Sequence, residues 1–376
     1  MSVPHIVLTW VTTARGGAEK SVPELAAHLA RMGAAVDLVW WRKNGPPPNS
    51  SFPVRVHEVS DWTGYREALA QAAKPWAGHR NPVILSNHRT AAADVRLAPH
   101  AAVVPVLRHV LEPEQVLRVI DPETGLLVSS TFAALPWDTL ARVPVWVGIS
   151  AASALSVRRC APAGTEVIAI PNGVAVPARP PAAIRPRTDR LLVATVARTV
   201  PWKRLDHLIR AAAHPRLAAG PGVRLDIFGE AGEGPHDGEL RYLAESLGAP
   251  VRFCGYVDDL PGVLAGYDVL ACAALQEGFG RGIIDAAGVC VPAIVPDAGS
   301  GPELVLDDLT GLVYDHRDPD GLVTALETAA ADREHLATMG NAARALAEAW
   351  YTPGRCAAQY LELLLRQMPP ALAVLQ

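Results

Sequence analysis

Glu277 and the residues after it are the part of the sequence best suited to bind a phosphorylated sugar. Glycines occupy every second position from 278 to 282, between a buried-strand pattern, 269–273, and a helix pattern, 283–289. Glycines let a ligand approach the backbone, and the first amides of a helix carry free N–H groups. Glu277 can accept hydrogen bonds from sugar hydroxyls, and Asp285 from a ribose diol. The pattern also fits an ordinary helix start whose acidic residues complement the helix dipole.

Two cations flank a second loop that could hold phosphate. Arg198 and Lys203 lie between an apolar strand, 191–196, and a helix predicted over 205–213. A diphosphate needs such partners, because arginine makes fork-like contacts and lysine supplies a point charge. Most surface cations are merely solvated, so the spacing alone leaves both interpretations open.

Polar residues also follow two apolar strands in the first half of the chain. Asn87 and His88 come after the strand 83–86, and Arg108 and His109 come after the strand 101–107. Ligands of doubly wound sheets bind outside the carboxyl ends of the strands. Asn87 and His88 are therefore candidates on the acceptor side.

Residues 275–305 resemble the glutamate–seven–glutamate motif of family 4 glycosyltransferases, which have the GT-B architecture. Glu277-Gly-Phe-Gly matches the motif, but Asp285 stands where the family has its second glutamate. The downstream turn 299–303 ends in Pro-Glu, as in the family. Since Asp285 is shorter by one methylene, its bond to a ribose would need a slight shift or a water.

Two further elements extend the resemblance over nearly the whole chain. The stretch from Ala197-Arg198 to Lys203-Arg204 resembles the family's Gly-Arg…Lys-Gly element, with alanine and arginine in place of the glycines. The pair Gly16-Gly17, followed by Ala-Glu, resembles the family loop opposite the donor phosphates and beside the acceptor.

The resemblance implies an α/β fold of two Rossmann-like domains that face each other across a cleft. The acceptor-binding domain is predicted at 1–178, with a C-terminal helix, 352–376, that crosses back onto it. The donor-binding domain is predicted at 188–351. The proline-rich segment 175–189 has no apolar periodicity and is predicted to be the linker.

The resemblance also implies roles for individual residues. The residues expected to take part in catalysis are Glu277, His109, Arg198 and Lys203. The residues expected to bind the donor are Gly16, Gly17, Arg198, Lys203, Gly229, Tyr256, Val257, Glu277, Gly278, Phe279, Gly280 and Asp285. The residues expected on the acceptor side are Arg15, Asn87, His88 and Arg108.

The composition limits the partners of the protein. A chain of 376 residues, half of them hydrophobic, is long enough for two domains. A net charge of −4 gives no reason to expect nucleic acid. We find neither an apolar run of about 18 residues nor a signal peptide, so a cytoplasmic protein without a transmembrane segment is expected. Weak peripheral contact with a membrane stays open.

The five cysteines show no metal-ligand or redox spacing. They stand at positions 160, 254, 272, 290 and 356. We expect them to be small buried hydrophobic residues in a reducing compartment.

These features predict a retaining glycosyltransferase that uses a nucleotide-diphosphate sugar, with UDP as the first choice. Arg198, Lys203 and the helix start near Gly278–Gly280 would neutralise the diphosphate, so neither a metal nor another cofactor is expected. The acceptor is expected to be a small soluble sugar, aminocyclitol or other metabolite, in natural-product or glycan biosynthesis.

Two alternatives remain from the sequence. One is another GT-B enzyme, such as a nucleotide-sugar epimerase or a sugar phosphorylase. A phosphorylase would need a lysine for pyridoxal phosphate, and Lys203 is the only lysine of the second domain. The other is a non-catalytic nucleotide-sugar-binding subunit, which donor turnover would distinguish from an enzyme.

Overall fold

The computed structural model describes residues 3–10, 17–41, 53–74, 81–181, 189–220, 222–232 and 234–367. The chain divides into two compact units. The first is Met1–Gly173 with Pro353–Gln376, and the second is Val174–Thr352. The division falls one residue before the predicted linker, 175–189, of which residues 182–188 lie outside the described part.

Strands and helices alternate along the described chain. The strands are β1 His5–Trp10, β2 Ala35–Trp41, β3 Val54–Val59, β4 Val83–Asn87, β5 Ala102–Leu107, β6 Val116–Ile120, β7 Leu127–Thr131, β8 Trp146–Gly148, β9 Val167–Ala169, β10 Leu191–Val196, β11 Val223–Phe228, β12 Val251–Gly255, β13 Val269–Ala271, β14 Ala293–Pro296 and β15 Gly311–Tyr314. The helices are α1 Gly17–Arg31, α2 Trp62–Ala72, α3 Ala91–Leu97, α4 Trp137–Leu140, α5 Ala151–Cys160, α6 Leu205–Ala212, α7 Pro215–Ala218, α8 His236–Ser246, α9 Leu260–Leu264, α10 Arg281–Ala287, α11 Gly301–Leu304, α12 Gly321–Ala331, α13 Arg333–Trp350 and α14 Pro353–Gln367, and a 3-10 helix, Pro201–Lys203, precedes α6.

The first unit contains a seven-stranded parallel sheet in the order β3-β2-β1-β4-β5-β8-β9. All six residues of β1 are buried, as expected for a central parallel strand with helices on both faces. The strand order reverses between β1 and β4. A doubly wound sheet opens at such a point, so polar residues that follow β4 lie beside the predicted binding crevice of this unit.

The C-terminal helix α14 belongs to the first unit and packs against α1. Cys356, Tyr360 and Leu364 are among the residues that it buries. This confirms the prediction that the last helix returns to the first domain.

The second unit contains a six-stranded parallel sheet in the order β12-β11-β10-β13-β14-β15. Its core includes Leu191, Ile209, Val269 and Ile294, each of which is fully buried. The strand order reverses between β10 and β13. The loops after these two strands therefore flank the predicted binding crevice of this unit.

Several element boundaries differ from the prediction. The sequence pattern predicts a helix over 65–77, but α2 begins at Trp62, because Asp61 accepts a hydrogen bond from the Gly64 N–H at 2.8 Å and caps it. Residues 75–77 lie outside the described part. The helix predicted from residue 283 begins at Arg281. The apolar residues 143–149 predict a strand, but β8 spans only the three residues Trp146–Gly148.

Other predictions concern caps, breaks and cysteines. Ser150, after an apolar strand pattern, is predicted to cap a helix, and it forms a reciprocal capping box with Ser153. The helical pattern over 322–347 is predicted to break near Asp332. The structure confirms this break, because Asp332 separates α12 from α13 and caps α13 by accepting the His335 N–H. Only Cys356 is buried; the other four cysteines are partly exposed, so the expectation that all five are buried was wrong.

Candidate functional site

Lys203 and Glu277 meet at the crevice of the second unit. Lys203 ends the 3-10 helix after β10, and Glu277 lies in the loop after β13. The Lys203 Nζ is 2.5 Å from the Glu277 Oε2, with the two side chains 23% and 16% exposed. A cation suited to phosphate and a carboxylate suited to sugar hydroxyls thus lie together, where the strand order predicts a ligand.

The charges of this pair support each other. Burial disfavours the Lys203 ammonium, but the charge and the hydrogen bond of Glu277 outweigh it and raise the Lys203 pKa. Lys203 is therefore a fixed cation at neutral pH. Cys272, at the end of β13, has its pKa raised to about 11 by burial and by Glu277, so it is a neutral thiol beside the pair.

A hydrogen bond and a left-handed glycine shape the Glu277 loop. The Gly280 N–H donates to the Glu277 Oε1 at 3.2 Å, so this amide, predicted to face the donor, points at the carboxylate. Gly280 has a φ of 78°, and a Cβ here would lie 2.7 Å from the Ile283 Cδ1. Phe279 is 3% exposed and packs edge-on against Tyr351. Any donor contact of Phe279 would therefore come from its backbone.

Arg198 is positioned by an aromatic ring. Its guanidinium carbon lies 5.8 Å from the ring centroid of Trp202, which is within cation–π range. Trp202 is 49% exposed. Arg204, where the resembled family has glycine, adopts a left-handed conformation with a φ of 50°. The fold thus demands of this arginine a conformation that glycine adopts at less cost.

Asp285 lies on α10 beside a cation that the sequence analysis missed. The Arg281 Nε is 3.8 Å from an Asp285 carboxylate oxygen, with the two side chains 16% and 11% exposed. Opposite charges four residues apart on a helix are neighbours. The sequence therefore contained the signal for this pair.

A second group of predicted donor residues lines a cavity of about 290 Å³ at the ends of β10, β11 and β12. Gly229 and Tyr256 line it, whereas Val257 does not. Gly229 is required because a Cβ there would lie 2.2 Å from the Ala197 carbonyl oxygen. The lining residues that were not predicted include Arg241, which donates to Asp237 at 2.7 Å and stacks on the Phe253 ring.

In the first unit, His88 and His109 are brought together. Their rings meet edge to face with centroids 5.7 Å apart, because β4 and β5 are neighbours. His88 is buried and His109 is exposed. Burial, followed by the charges of His109 and Arg89, holds the His88 pKa well below its usual value. His88 is therefore a neutral imidazole at neutral pH.

The other acceptor-side candidates of this unit point into the protein or lie outside the described residues. The Asn87 Oδ1 accepts the Arg89 N–H at 3.0 Å. Arg108 donates to Ser21 and Asn172 and lies over the Trp10 ring, so its guanidinium is engaged within the first unit. Gly17 begins α1. Arg15 and Gly16 lie outside the described residues.

Within the described residues, one group could geometrically hold a metal ion: Asp297, Asp315 and His316. The His316 Nδ1 is 2.5 Å from Asp297, and Arg317 contacts both carboxylates. Residues 318–320, directly after this group, form an Asp-x-Asp sequence. This pair of carboxylates was overlooked when a metal-free site was predicted. Its second carboxylate pairs with Arg216.

Comparison with known proteins bears on the second unit first. Residues 181–346 match the family model Glycosyl transferases group 1. A GDP-mannose-dependent alpha-(1-6)-phosphatidylinositol monomannoside mannosyltransferase of Mycolicibacterium smegmatis is 36% identical over 167 residues, which are 42% of this chain and 43% of that protein. The match thus spans less than half the length of this relative. It supports the predicted resemblance to glycosyltransferases in general.

Solved structures resemble the whole chain. Anabaena Alr3699/HepE in complex with UDP and glucose has a TM-score of 0.74 at 21% identity, over 96% of this chain and 99% of that one. A glycosyltransferase from Rickettsia africae ESF-5 has a TM-score of 0.75 at 15% identity, over 96% and 98%. The predicted α/β fold of two Rossmann-like domains is confirmed and is shared with GT-B glycosyltransferases. No helix of the described chain is long and apolar enough to cross a membrane.

Proposed function

We propose that this chain is a retaining, metal-independent glycosyltransferase that moves a sugar from a nucleotide-diphosphate sugar to a small soluble acceptor. The contact between Lys203 and Glu277 carries the proposal. The 2.5 Å pair lies where the strand order of the second unit reverses, and this unit contains the whole stretch that matches the family model. Ligands of doubly wound sheets bind at such a point.

In this mechanism Arg198 and Lys203 bind the diphosphate and stabilise the charge that develops on it as the bond to the sugar breaks. Glu277 accepts hydrogen bonds from the sugar hydroxyls. The acceptor oxygen bonds to the anomeric carbon on the face from which the phosphate leaves, so the configuration is retained. The leaving phosphate oxygen takes the acceptor proton, and no protein base is needed.

Lys203 lies on Glu277, and we propose that this contact changes when the donor binds. The diphosphate competes for the ammonium, while the sugar hydroxyls replace it as partners of the carboxylate. Each group therefore exchanges one charged or polar partner for another. This exchange avoids leaving either charge without a partner in a partly buried site.

The 290 Å³ cavity is the proposed nucleoside site. It borders the loops after β10 and β11, and the first of these also carries Arg198 and Lys203. Its volume is at the lower end of the range for small-molecule sites. We keep UDP as the proposed nucleotide of the donor. The names of several relatives make GDP-mannose the second donor to test.

Asp285 is proposed to hold the ribose, helped by Arg281. His109, exposed beside the neutral His88, is proposed to contact the donor sugar or the acceptor from the first unit. The relative from Mycolicibacterium acts, by its name, on a phosphatidylinositol monomannoside. For this chain we propose a soluble acceptor, because its sequence carries no broad basic face for anionic lipid.

Thermal unfolding with UDP, GDP, ADP or dTDP in the presence of EDTA tests the donor site. We expect one nucleotide to raise the melting temperature of the native protein. Lys203→Ala should weaken its binding by about 10–100-fold, the loss expected for a charged hydrogen bond. The exposed Lys74→Ala is the matched control and should bind normally. A native protein that no nucleotide stabilises would contradict the proposal.

Turnover separates an enzyme from a binding subunit. With the sugar-bearing form of the nucleotide that binds, we expect slow donor hydrolysis without acceptor and faster transfer once a soluble acceptor is supplied. Glu277→Gln should retain nucleotide binding while losing most of the turnover, because Glu277 contacts the sugar. Binding without any hydrolysis or transfer would favour the non-catalytic alternative.

A further inference from the structure

The hairpin β6–β7 of the first unit exposes a cluster of apolar side chains. Val116, Leu126, Leu127 and Val128 are 67%, 64%, 53% and 38% exposed. Isolated apolar residues are common at protein surfaces, but Leu126, Leu127 and Val128 are consecutive and lie in or beside β7. An exposed apolar segment of this kind indicates an interaction site. Val116 lies at the other end of the hairpin, opposite Thr131. Leu117 packs into a core cluster beneath the hairpin, so the hairpin is fixed to the domain while β7 faces solvent.

The outer edge of β7 has backbone groups that no strand of the described chain pairs. The Asp121 N–H donates to the Leu126 carbonyl at 2.8 Å, and this bond fixes which residues face inward. Antiparallel ladders alternate, so Leu127 and Ser129 direct their N–H and C=O groups outward. On the partner strand, the outward Ile120 N–H donates to the Arg89 carbonyl. Thus β6 is tied to the domain at its outer edge, and β7 is not.

The sequence of β7 also lacks the devices that protect exposed edges. Natural edge strands carry charges, prolines or bulges that prevent pairing with another chain. Residues 126–131, Leu-Leu-Val-Ser-Ser-Thr, contain neither a charged residue nor a proline. The ladder between β7 and β6 is regular and contains no bulge. The charged residues of the hairpin lie on β6 and in the turn, as Arg118, Asp121 and Glu123. The two acidic residues of the turn disfavour insertion of the hairpin tip into an anionic membrane.

We propose that β7 pairs antiparallel with β7 of a second copy of this chain, which joins the two hairpins into a four-stranded sheet. A two-fold axis at Val128 places Leu127 of one copy opposite Ser129 of the other. Both residues have outward backbone groups, so two such pairs provide four hydrogen bonds across the axis. The self-complementary pattern fits a symmetric dimer, the commonest form of homo-oligomer.

The absence of charge on β7 is what makes this pairing acceptable. Near a two-fold axis, each residue contacts the same residue of the other copy or one close to it in sequence. A charge there would therefore repel its equivalent in the other copy. Val128 instead meets Val128, and the flanking leucines gain cover from the second hairpin. Because the strands are short, the interface is at the low end of specific interfaces, and we expect a dissociation constant of roughly 10–100 µM.

Sedimentation velocity over a concentration series from about 1 to 300 µM tests the proposal on the full chain. We expect a reversible shift from monomer to dimer. Val128→Lys places two like charges on the axis and should raise the dissociation constant at least about tenfold. Ser129→Pro removes an outward N–H and should have the same effect. Val116→Lys is the matched control, since it adds the same charge to the more exposed β6 end and should leave dimerisation unchanged.

Disulfide crosslinking locates the axis. Opposed residues of a non-hydrogen-bonded antiparallel pair have Cα atoms about 4.5 Å apart, which is within disulfide range. Val128→Cys should therefore form a covalent dimer under mild oxidation, whereas Val116→Cys and the native protein should not. Circular dichroism melting confirms that each variant is folded. A native protein that stays monomeric throughout, or a dimer that neither β7 variant weakens, would overturn the proposal.

Discussion

Asp37 and Asp226 occupy equivalent positions in the two sheets. Each is fully buried on the strand next to one edge of its sheet, and each is the register partner of an arginine on the edge strand, Arg55 or Arg252. Asp37 also bonds to His5 and His57, and Asp226 accepts the hydroxyl of Tyr267 at 2.5 Å. In both units a buried carboxylate thus ties the edge strand to the sheet.

Both carboxylates should stabilise the fold above acidic pH. Burial acts to raise the pKa of Asp226, but the hydrogen bonds from Arg252 and Tyr267 and the nearby charges outweigh it and lower the pKa. A lowered pKa in the folded state means that the stabilisation is fully present above the ordinary carboxyl value near 4. It is lost as pH falls through the lower folded value.

We therefore predict that Asp226→Asn lowers the free energy of unfolding by about 1–3 kcal/mol at pH 7, because the buried carboxylate that accepts hydrogen bonds from Arg252 and Tyr267 is replaced by a neutral amide. The difference from the native protein should shrink as pH falls from about 4 through the lower pKa of the folded state, at which the native carboxyl becomes neutral. Urea unfolding at pH 7 and pH 3 measures it. The exposed Asp258→Asn is the control, and a difference that persists unchanged at pH 3 would argue against an electrostatic origin.

Asp94 should have the opposite pH dependence. It is fully buried and accepts hydrogen bonds from Tyr65 at 2.7 Å, Ser86 at 2.5 Å and Thr90 at 3.0 Å, but the described residues provide no cation against it. Burial outweighs these bonds and raises its pKa to about 6. Because the folded state prefers the neutral acid, its contribution to stability is fully present below about pH 4 and lost as pH rises through about 6.

The shift from 3.8 to about 6 corresponds to about 3 kcal/mol. We predict that Asp94→Asn becomes more stable relative to the native protein by this amount as pH rises from 4 to 7. Its amide keeps the shape, and the surrounding hydroxyls can reorient to donate or accept. Urea unfolding of both proteins at the two pH values gives the double difference. A constant difference would show that Asp94 is ionised throughout.

The sequence identifies candidate site residues, but it does not show which of them are in contact in the folded protein. Lys203 and Glu277 were chosen as site candidates from residue type and from their place after apolar strands. Their direct contact depends on β10 and β13 lying side by side, and the order of strands in a parallel sheet is set by crossovers between distant segments. The pairing of His88 with His109 has the same origin, because β4 and β5 are neighbours only in the folded sheet.

Other features were missed for local reasons. The i,i+4 pair of Arg281 and Asp285 was visible in the spacing but lay inside a stretch assigned mainly to glycine chemistry. The hairpin β6–β7 gave a weak strand signal, since Pro122 and charged residues interrupt its apolar pattern. The role of Asp237 and Arg241 as cavity walls could not be predicted, because it depends on how α8 packs beside β12.

The left-handed conformation of Arg204 should reduce stability. A non-glycine residue at a φ of 50° has its Cβ close to the backbone, at a cost of roughly 1–2 kcal/mol. We predict that Arg204→Gly raises the free energy of unfolding by about 1 kcal/mol, after the greater entropy of glycine in the unfolded chain is subtracted. Arg204→Ala is the control, because it removes the guanidinium contact with His207 but keeps the Cβ. If both variants gained stability equally, backbone strain would not be the cause.

The stacking of Arg198 on Trp202 should contribute to donor binding. The guanidinium lies 5.8 Å from the ring centroid, and half of the tryptophan surface is exposed, so the contact is worth about 0.5–1 kcal/mol. Its value lies in fixing the arginine fork before a diphosphate arrives, since a pre-ordered side chain loses less entropy on binding. We predict that Trp202→Ala weakens binding of the nucleotide diphosphate by about 2–5-fold.

Trp202→Phe should restore most of the affinity, because a phenyl ring still presents a face to the guanidinium. Affinity is measured by isothermal titration with the nucleotide that stabilises the native protein. A double-mutant cycle with Arg198→Ala isolates the coupling between the two side chains, since the tryptophan should have no effect once the arginine is absent. If Trp202→Ala weakened binding equally in the presence and absence of Arg198, the ring would contact the nucleotide directly rather than position the arginine.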